Sequence, residues 1–217
     1  MNREEIRDTF RQLNPEVTER VATDTQLNDL LELGDKDFCA KTRCITNYEP
    51  ETIETTENDE SWDLTTEISK FYDLDTFPGA GVLYNDKQLR FRSLVQLDKE
   101  SPNWRNNSSG TPTRYFRRGA RIYTDKPIDS NEYDLKVYAV LISDDFDDDA
   151  KLPFNGLTYL EPFHFGLILW LQWKAKAKIA KPEESATAMQ EYLTYALWAR
   201  KEIGGTKFGA IHLIKKV

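Results

Sequence analysis

The chain has 217 residues, 39% hydrophobic and 12% aromatic, enough for one or two packed domains and too apolar for a disordered tail. A net charge of −8 excludes a general binder of phosphate backbones, which needs a basic surface. The two cysteines, Cys39 and Cys44, cannot complete a metal site and suit a reduced compartment. The polar start Met1-Asn2-Arg3-Glu4-Glu5 has no signal-peptide character, so synthesis in the cytoplasm is expected.

Residues 3–13 place Ile6, Phe10 and Leu13 on one helical face, with Glu4 and Glu5 in the first turn where the helix dipole favours acids. Asn14-Pro15 ends this helix. A longer helix follows, with Asp24 or Thr25 as its N-cap and a stripe of Leu27, Leu30, Leu31, Gly34 and Phe38.

From about residue 48 the pattern changes. Residues 51–58 are rich in Thr and Glu and read as a linker or an edge strand. Strands are expected over 63–72, 88–96, 113–117, 120–124 and 132–142, separated by turn residues such as Ser109-Gly110 and Lys126-Pro127. In the last of these, Tyr133, Leu135, Val137, Ala139 and Leu141 share one face. The acidic run Asp144–Asp149 lacks the Gly and the closing Glu of an EF-hand loop and reads as a solvated loop.

The C-terminal third is helical. A Pro162-led helix to about Ala180 is apolar all round through Trp173, which requires burial on several sides. Its apolar run Phe163–Trp173 is too short to span a bilayer. A second helix opens at Pro182, with the stripe Ala186, Met189, Leu193, Ala196, Leu197 and Arg200, and Gly204-Gly205 as its stop. So short a connection makes the pair an antiparallel αα-hairpin. Residues 206–217 read as an extended arm or a short strand.

The sequence carries little that points to chemistry. His164 and His212 have no metal-ligand partners at helical spacing. Pro78-Gly79-Ala80-Gly81 lacks the Lys and Ser/Thr of a phosphate-binding loop. No Gly-x-Ser-x-Gly motif occurs. A thiol or metal hydrolase would need Cys39, His164 and an acid brought into one pocket. Trp104, Tyr115, Phe116 and Tyr123 suit either a sheet core or a platform for sugar rings. The expectation is a non-enzymatic structural protein without cofactor or metal.

Several residues carry a resemblance. Trp104 through Gly110-Thr111-Pro112 to Tyr115, then Ile122-Tyr123, Lys126-Pro127 and Tyr133-Leu135-Val137-Tyr138, resembles the head-to-tail adaptor (connector) proteins of tailed bacteriophages. Pro15-Glu16-Val17-Thr18 and Leu27-x-x-Leu30-Leu31 are similar to that family's opening helix. Ala188 and Tyr192 match the form of its last helix. Extra sequence at Glu19–Thr23 and an acidic β region depart from the plain pattern.

The resemblance implies an α+β fold: a bundle of N-terminal helices (1–47) and a C-terminal hairpin (151–205), an inserted antiparallel β-sheet or sandwich (48–150), and an extended arm (206–217). It implies a virion protein at the head–tail junction, in a dodecameric ring beneath the portal. That ring would meet the portal protein, its own copies, and a tail or further ring protein. DNA would pass through its channel without specific binding, and no membrane is involved. In this reading Phe163, Leu167, Trp170 and Leu171 are core, and Lys174, Lys178 and Lys181 contact neighbouring subunits. Phe208, Ile211, Leu213, Ile214, Lys215 and Lys216 dock on the portal. The alternatives are another ring or tail-completion protein of the virion, or a carbohydrate-binding β-sandwich module.

Overall fold

The structure, a computed structural model, describes residues 1–47, 49–75, 80–179 and 181–214, with side chains as far as residue 204. Pro78, Gly79, Ala180, Lys215 and Lys216, named above, lie outside the described residues. The helices are α1 (Arg3–Leu13), α2 (Asp24–Thr42), α3 (Leu64–Glu67), α4 (Leu94–Glu100), α5 (Phe165–Lys178) and α6 (Pro182–Ile214). The strands are β1 (Glu51–Ile53), β2 (Ser61–Asp63), β3 (Phe71–Leu74), β4 (Val82–Tyr84), β5 (Lys87–Gln88), β6 (Arg90–Phe91), β7 (Arg114–Arg118), β8 (Arg121–Thr124), β9 (Leu135–Val137) and β10 (Ala139–Leu141). The fold is α+β. Residues 1–45 and 142–217 form one compact unit and residues 46–141 form another.

In the helical unit, the first two helices open with reciprocal caps. Asn2 accepts from the Glu5 amide while Glu5 accepts from the Asn2 amide, and Thr23 does the same with Gln26. The cap of α2 is therefore Thr23, one residue before the expected Asp24. Ile6, Phe10, Leu27, Leu31 and Phe38 are buried as expected, but Leu13 is exposed. The acidic run belongs to this unit and is only partly a solvated loop. Phe146 is buried, its carbonyl accepts from Arg3 Nη1 at 3.0 Å, and Asp149 pairs with Arg3 at 2.9 Å and Arg7 at 3.3 Å.

The helices α5 and α6 form the expected antiparallel hairpin. At one end Ser185 Oγ donates to the Trp173 carbonyl at 3.3 Å; at the other Tyr195 Oη donates to the Pro162 carbonyl at 3.0 Å. Phe163, Leu167, Trp170 and Leu171 are buried. The packed face of α6 differs from the expected stripe. Ser185, Ala188, Tyr192, Ala196, Ala199 and Ile203 are buried, whereas Ala186, Leu197 and Arg200 are exposed. Small alanines let α6 sit close to its neighbours. Tyr192 tolerates burial because its hydroxyl donates to Asp37 Oδ2 at 2.6 Å. A second correction concerns the end of this helix. It runs through Gly204-Gly205 to Ile214, so the segment after the glycines is helical and not an extended arm. Two glycines cost a helix about 2 kcal/mol relative to alanine, a penalty that does not by itself impose a stop.

In the β unit, sheet order is β1-β9-β4-β5 in one sheet, β2-β8-β7-β6 in a second, and β10-β3 pair separately. The pairings are antiparallel except β6 with β7, which is parallel and was not expected. Two expected strands contain helical turns. Asp63 caps α3 by accepting from the Thr65 amide, which interrupts the run 63–72. Ser93 and Gln96 form a capping box that turns 88–96 into β6 followed by α4. The expected strand 132–142 changes sheets at Tyr138, whose amide donates to Gly81 and whose carbonyl accepts from Asp75. Leu135, Val137 and Ala139 are buried as expected, but Val140 is buried too, and Tyr133 is exposed.

The tightest packing joins α2 to α5. A Cβ on Gly34 would lie 2.5 Å from Trp170 Cδ1, and one on Gly166 would lie 2.6 Å from Phe38 Cε2. Gly34→Ala is therefore expected to destabilise the chain by about 1–3 kcal/mol through overpacking, despite alanine's better helix propensity. Urea unfolding of the variant measures this; unchanged or raised stability would contradict the packing described.

Candidate functional site

The helical unit presents two different surfaces along α6. Its inner face closes an aromatic core. Phe38 stacks on Phe154 with ring centroids 5.0 Å apart. Trp170 meets Trp173 edge-on at 5.0 Å and Tyr192 at 5.4 Å. Trp170 Nε1 donates to the Leu30 carbonyl at 2.8 Å, which fixes the ring across the α2–α5 contact. Burial, with the Asp37 carboxylate close by, pushes the Tyr192 phenol up and keeps it a donor.

The outer surface is apolar and open. Leu197 is 68% exposed on a different side of α6, about 160° round the helix from Tyr195, and the patch is made by Phe165, 42% exposed, and Trp198, 46% exposed. Tyr195 bridges them, with its ring 6.1 Å from Phe165 and 5.3 Å from Trp198. Trp198 also leans on the buried Phe163 at 5.4 Å. Beside this patch lies a shallow groove of about 510 Å³, lined by Leu169, Thr187, Gln190, Tyr195 and Trp198 among others. Adjacent exposed aromatics on rigid helices are costly in water and mark protein-contact surfaces. Sequence reading assigned Leu197 and, within the apolar run 163–173, Phe165 to the core, and did not single out Trp198. The available signal was that α6 carries apolar residues on two faces, more than one packed neighbour needs.

The lysines expected at a subunit contact all have partners within the chain. Lys174 Nζ sits 3.7 Å from the Trp173 ring centre and 4.3 Å from that of Trp170, and burial pushes its pKa down. Lys178 donates to Gln26 Oε1, and Lys181 pairs with Glu184 at 3.0 Å. They cluster at the turn of the hairpin, away from the aromatic patch. Of the residues expected to dock on a portal, Phe208, Ile211, Leu213 and Ile214 lie in the last turns of α6.

The residues named for other chemistry are placed differently from what that chemistry needs. Burial, then the neighbouring Cys44 thiol and Asp35, push the Cys39 thiol well up, opposite to an activated thiolate. His164 packs on Phe154 at 5.7 Å and is driven down to about 4 by burial and by the Met1 amino group. Among the described residues, no three His, Cys, Asp or Glu side chains gather where a metal ion could sit, and no helix is long and apolar enough to cross a membrane. In the β unit, Tyr115 and Phe116 are buried, and Phe116 stacks on Tyr123 at 4.8 Å. Trp104 is covered edge-on by Phe116 and on its face by Arg105, and its Nε1 donates to Asp98 at 2.8 Å. These rings form packing contacts.

The chain, a helical unit with an open aromatic face and a β unit inserted between its second and third long helices, is by its family a phage adaptor protein, a structural component of the virion. Residues 1–204 match the family described as SU10 adaptor protein, and the chain belongs to that family. No curated protein matches the chain.

Asp35 adds a pH dependence to the helical unit. It is buried, accepts from the Phe154 amide at 2.9 Å, and burial raises its pKa from 3.8 to about 6. The folded state thus holds this proton more tightly than the unfolded chain, and stability falls as pH rises from about 4 to about 6. His164 works oppositely, from 6.5 down to about 4, but contributes equally to wild type and to an Asp35 variant. Relative to wild type, Asp35→Asn should therefore gain roughly 1–3 kcal/mol between pH 4 and 6. Urea midpoints across this range provide the check, and a pH-independent difference would contradict the assignment.

Proposed function

We propose that the chain assembles as a ring, of twelve copies, beneath the portal vertex of the filled head, where it joins head to tail and extends the DNA channel. It does so without catalysis, cofactor or metal. The observation that carries this reading is the open aromatic face at Phe165, Tyr195 and Trp198 in a chain of an adaptor family. Copies in a closed ring meet through two unlike surfaces, and a rigid helical face with exposed aromatics provides one of them. The net charge of −8 suits a channel wall that does not retain passing DNA.

The C-terminal segment 206–217 docks on the portal. It is apolar at Phe208, Ile211, Leu213 and Ile214 and basic at Lys215 and Lys216. Lys174, Lys178 and Lys181, toward the hairpin turn, meet a neighbouring subunit at a point apart from the aromatic face. Further partners are a tail protein or a second ring below.

One assay separates the two contacts. Purified portals are mixed with wild type, with a chain lacking 206–217, and with Phe165→Glu/Trp198→Glu, then imaged by electron microscopy. The truncated chain should fold and fail to attach. The patch variant should fold and leave single subunits on portals without a closed ring. Normal rings from either folded variant would contradict the role given to that segment or face.

A further inference from the structure

The second sheet of the β unit has ends of opposite charge. Its order is β2-β8-β7-β6, so β2 and β6 are its edges. Residues 57–67, which include β2, contain five Asp or Glu (Glu57, Asp59, Glu60, Asp63 and Glu67) and no Lys or Arg. Residues 89–92, which include β6, contain Arg90 and Arg92 and no acid; α4 beyond them adds Lys99, with its Asp98 and Glu100 held by Arg105 and Arg92. Several of these charges are uncommitted. Among the described residues Glu60 and Glu67 near β2 are exposed and form no ion pair, and the same holds for Arg90 and Lys99 near β6.

The β6 edge also carries an apolar knob. Phe91 is 54% exposed and Val95 64% exposed, with Leu94 beside them. The capping box at Ser93 fixes this shape, because it starts α4 directly after the strand. Phe91 is supported from within by Tyr115, whose ring lies 5.5 Å away.

Charges on a sheet edge ordinarily guard it against pairing with other chains. Two edges of the same sign would block every pairing between copies. Edges of opposite sign block like-to-like pairing and favour one edge of a copy against the other edge of the next. That is the heterologous, head-to-tail contact a cyclic ring requires. Strand directions agree. β8 runs antiparallel to both β2 and β7, and β6 runs parallel to β7, so β2 and β6 point the same way. Copies related by rotation about a ring axis keep these directions aligned.

We propose that neighbouring copies join through their β units, the basic and apolar β6 edge of one copy seated on the acidic β2 edge of the next. The inference rests on the ring reading above. It adds a second subunit contact, independent of the helical face, and names a second copy of this chain as the occupant of both edges.

The test reverses the charges. Arg90→Glu/Lys99→Glu and Glu60→Lys/Glu67→Lys are prepared separately and combined, with circular dichroism to confirm folding. On portals, each double variant should show ring occupancy reduced at least about tenfold. The quadruple variant should recover rings, because each contact is then complementary with the signs exchanged. As a second measurement, Arg90→Cys/Glu60→Cys is treated on portals with a short bismaleimide. A ladder of covalent multimers is expected, since Cys39 and Cys44 are buried and unreactive. Full rings from both double variants, no recovery in the quadruple, or no ladder would overturn this inference alone. A wild type that forms no ring on portals would overturn it together with the ring reading.

Discussion

Two glycines and two aromatic rings set the helical unit. Gly34 of α2 receives Trp170 of α5, and Gly166 of α5 receives Phe38 of α2, each at a distance no side chain could share. The exchange is reciprocal, small against large on both helices, and fixes their register. Once Trp170 is seated, its Nε1 reaches the Leu30 carbonyl and its ring becomes the floor on which Tyr192 of α6 packs. Tyr192 in turn reaches Asp37 on α2. Three helices are thus locked through one aromatic column, and interiors packed to this density do not accept an added methyl without rearrangement.

This lock gives α6 two distinct faces. Its inner face of alanines, Tyr192 and Ile203 faces the bundle, so Trp198 and the neighbouring Tyr195 are left on a rigid outer surface. A rigid presentation lowers the entropy lost on association, which is what an assembly surface needs. The buried titratable groups of the same unit work against one another: Asp35 favours the fold at low pH and His164 at higher pH. Their opposed slopes flatten the net response of the unit over the range where each titrates.

Elements with a long, uninterrupted period were legible in the sequence. The amphipathic α2 and the hairpin of α5 and α6 follow from spacing alone, and the adaptor resemblance rested on short turn-and-strand motifs spread over most of the chain. What escaped reading depended on partners distant in sequence or on local caps. The packed face of α6 was set by the Tyr192 hydroxyl finding Asp37, 155 residues away, so the more apolar Leu197 was wrongly placed inside. The strands at 63–72 and 88–96 had suitable β-formers, yet Asp63 and Ser93 supplied caps that started helical turns. Burial of both Ala139 and Val140 marks the change of sheet near Tyr138, which strict alternation could not reveal. The candidate surfaces were the least legible. Exposed Phe165 read as core within its apolar run, Trp198 fell outside the stripe read on α6, and the opposed charges of β2 and β6 gain meaning only once both are known to be edges of one sheet.

The central claim is that this adaptor is built to assemble on a template. Electron microscopy and mass measurement of the wild-type chain, alone and with purified portals, test it most directly. The account predicts a monomer in isolation and a closed ring on the portal. A chain that stays single on portals, or that forms the same ring without them, would contradict it.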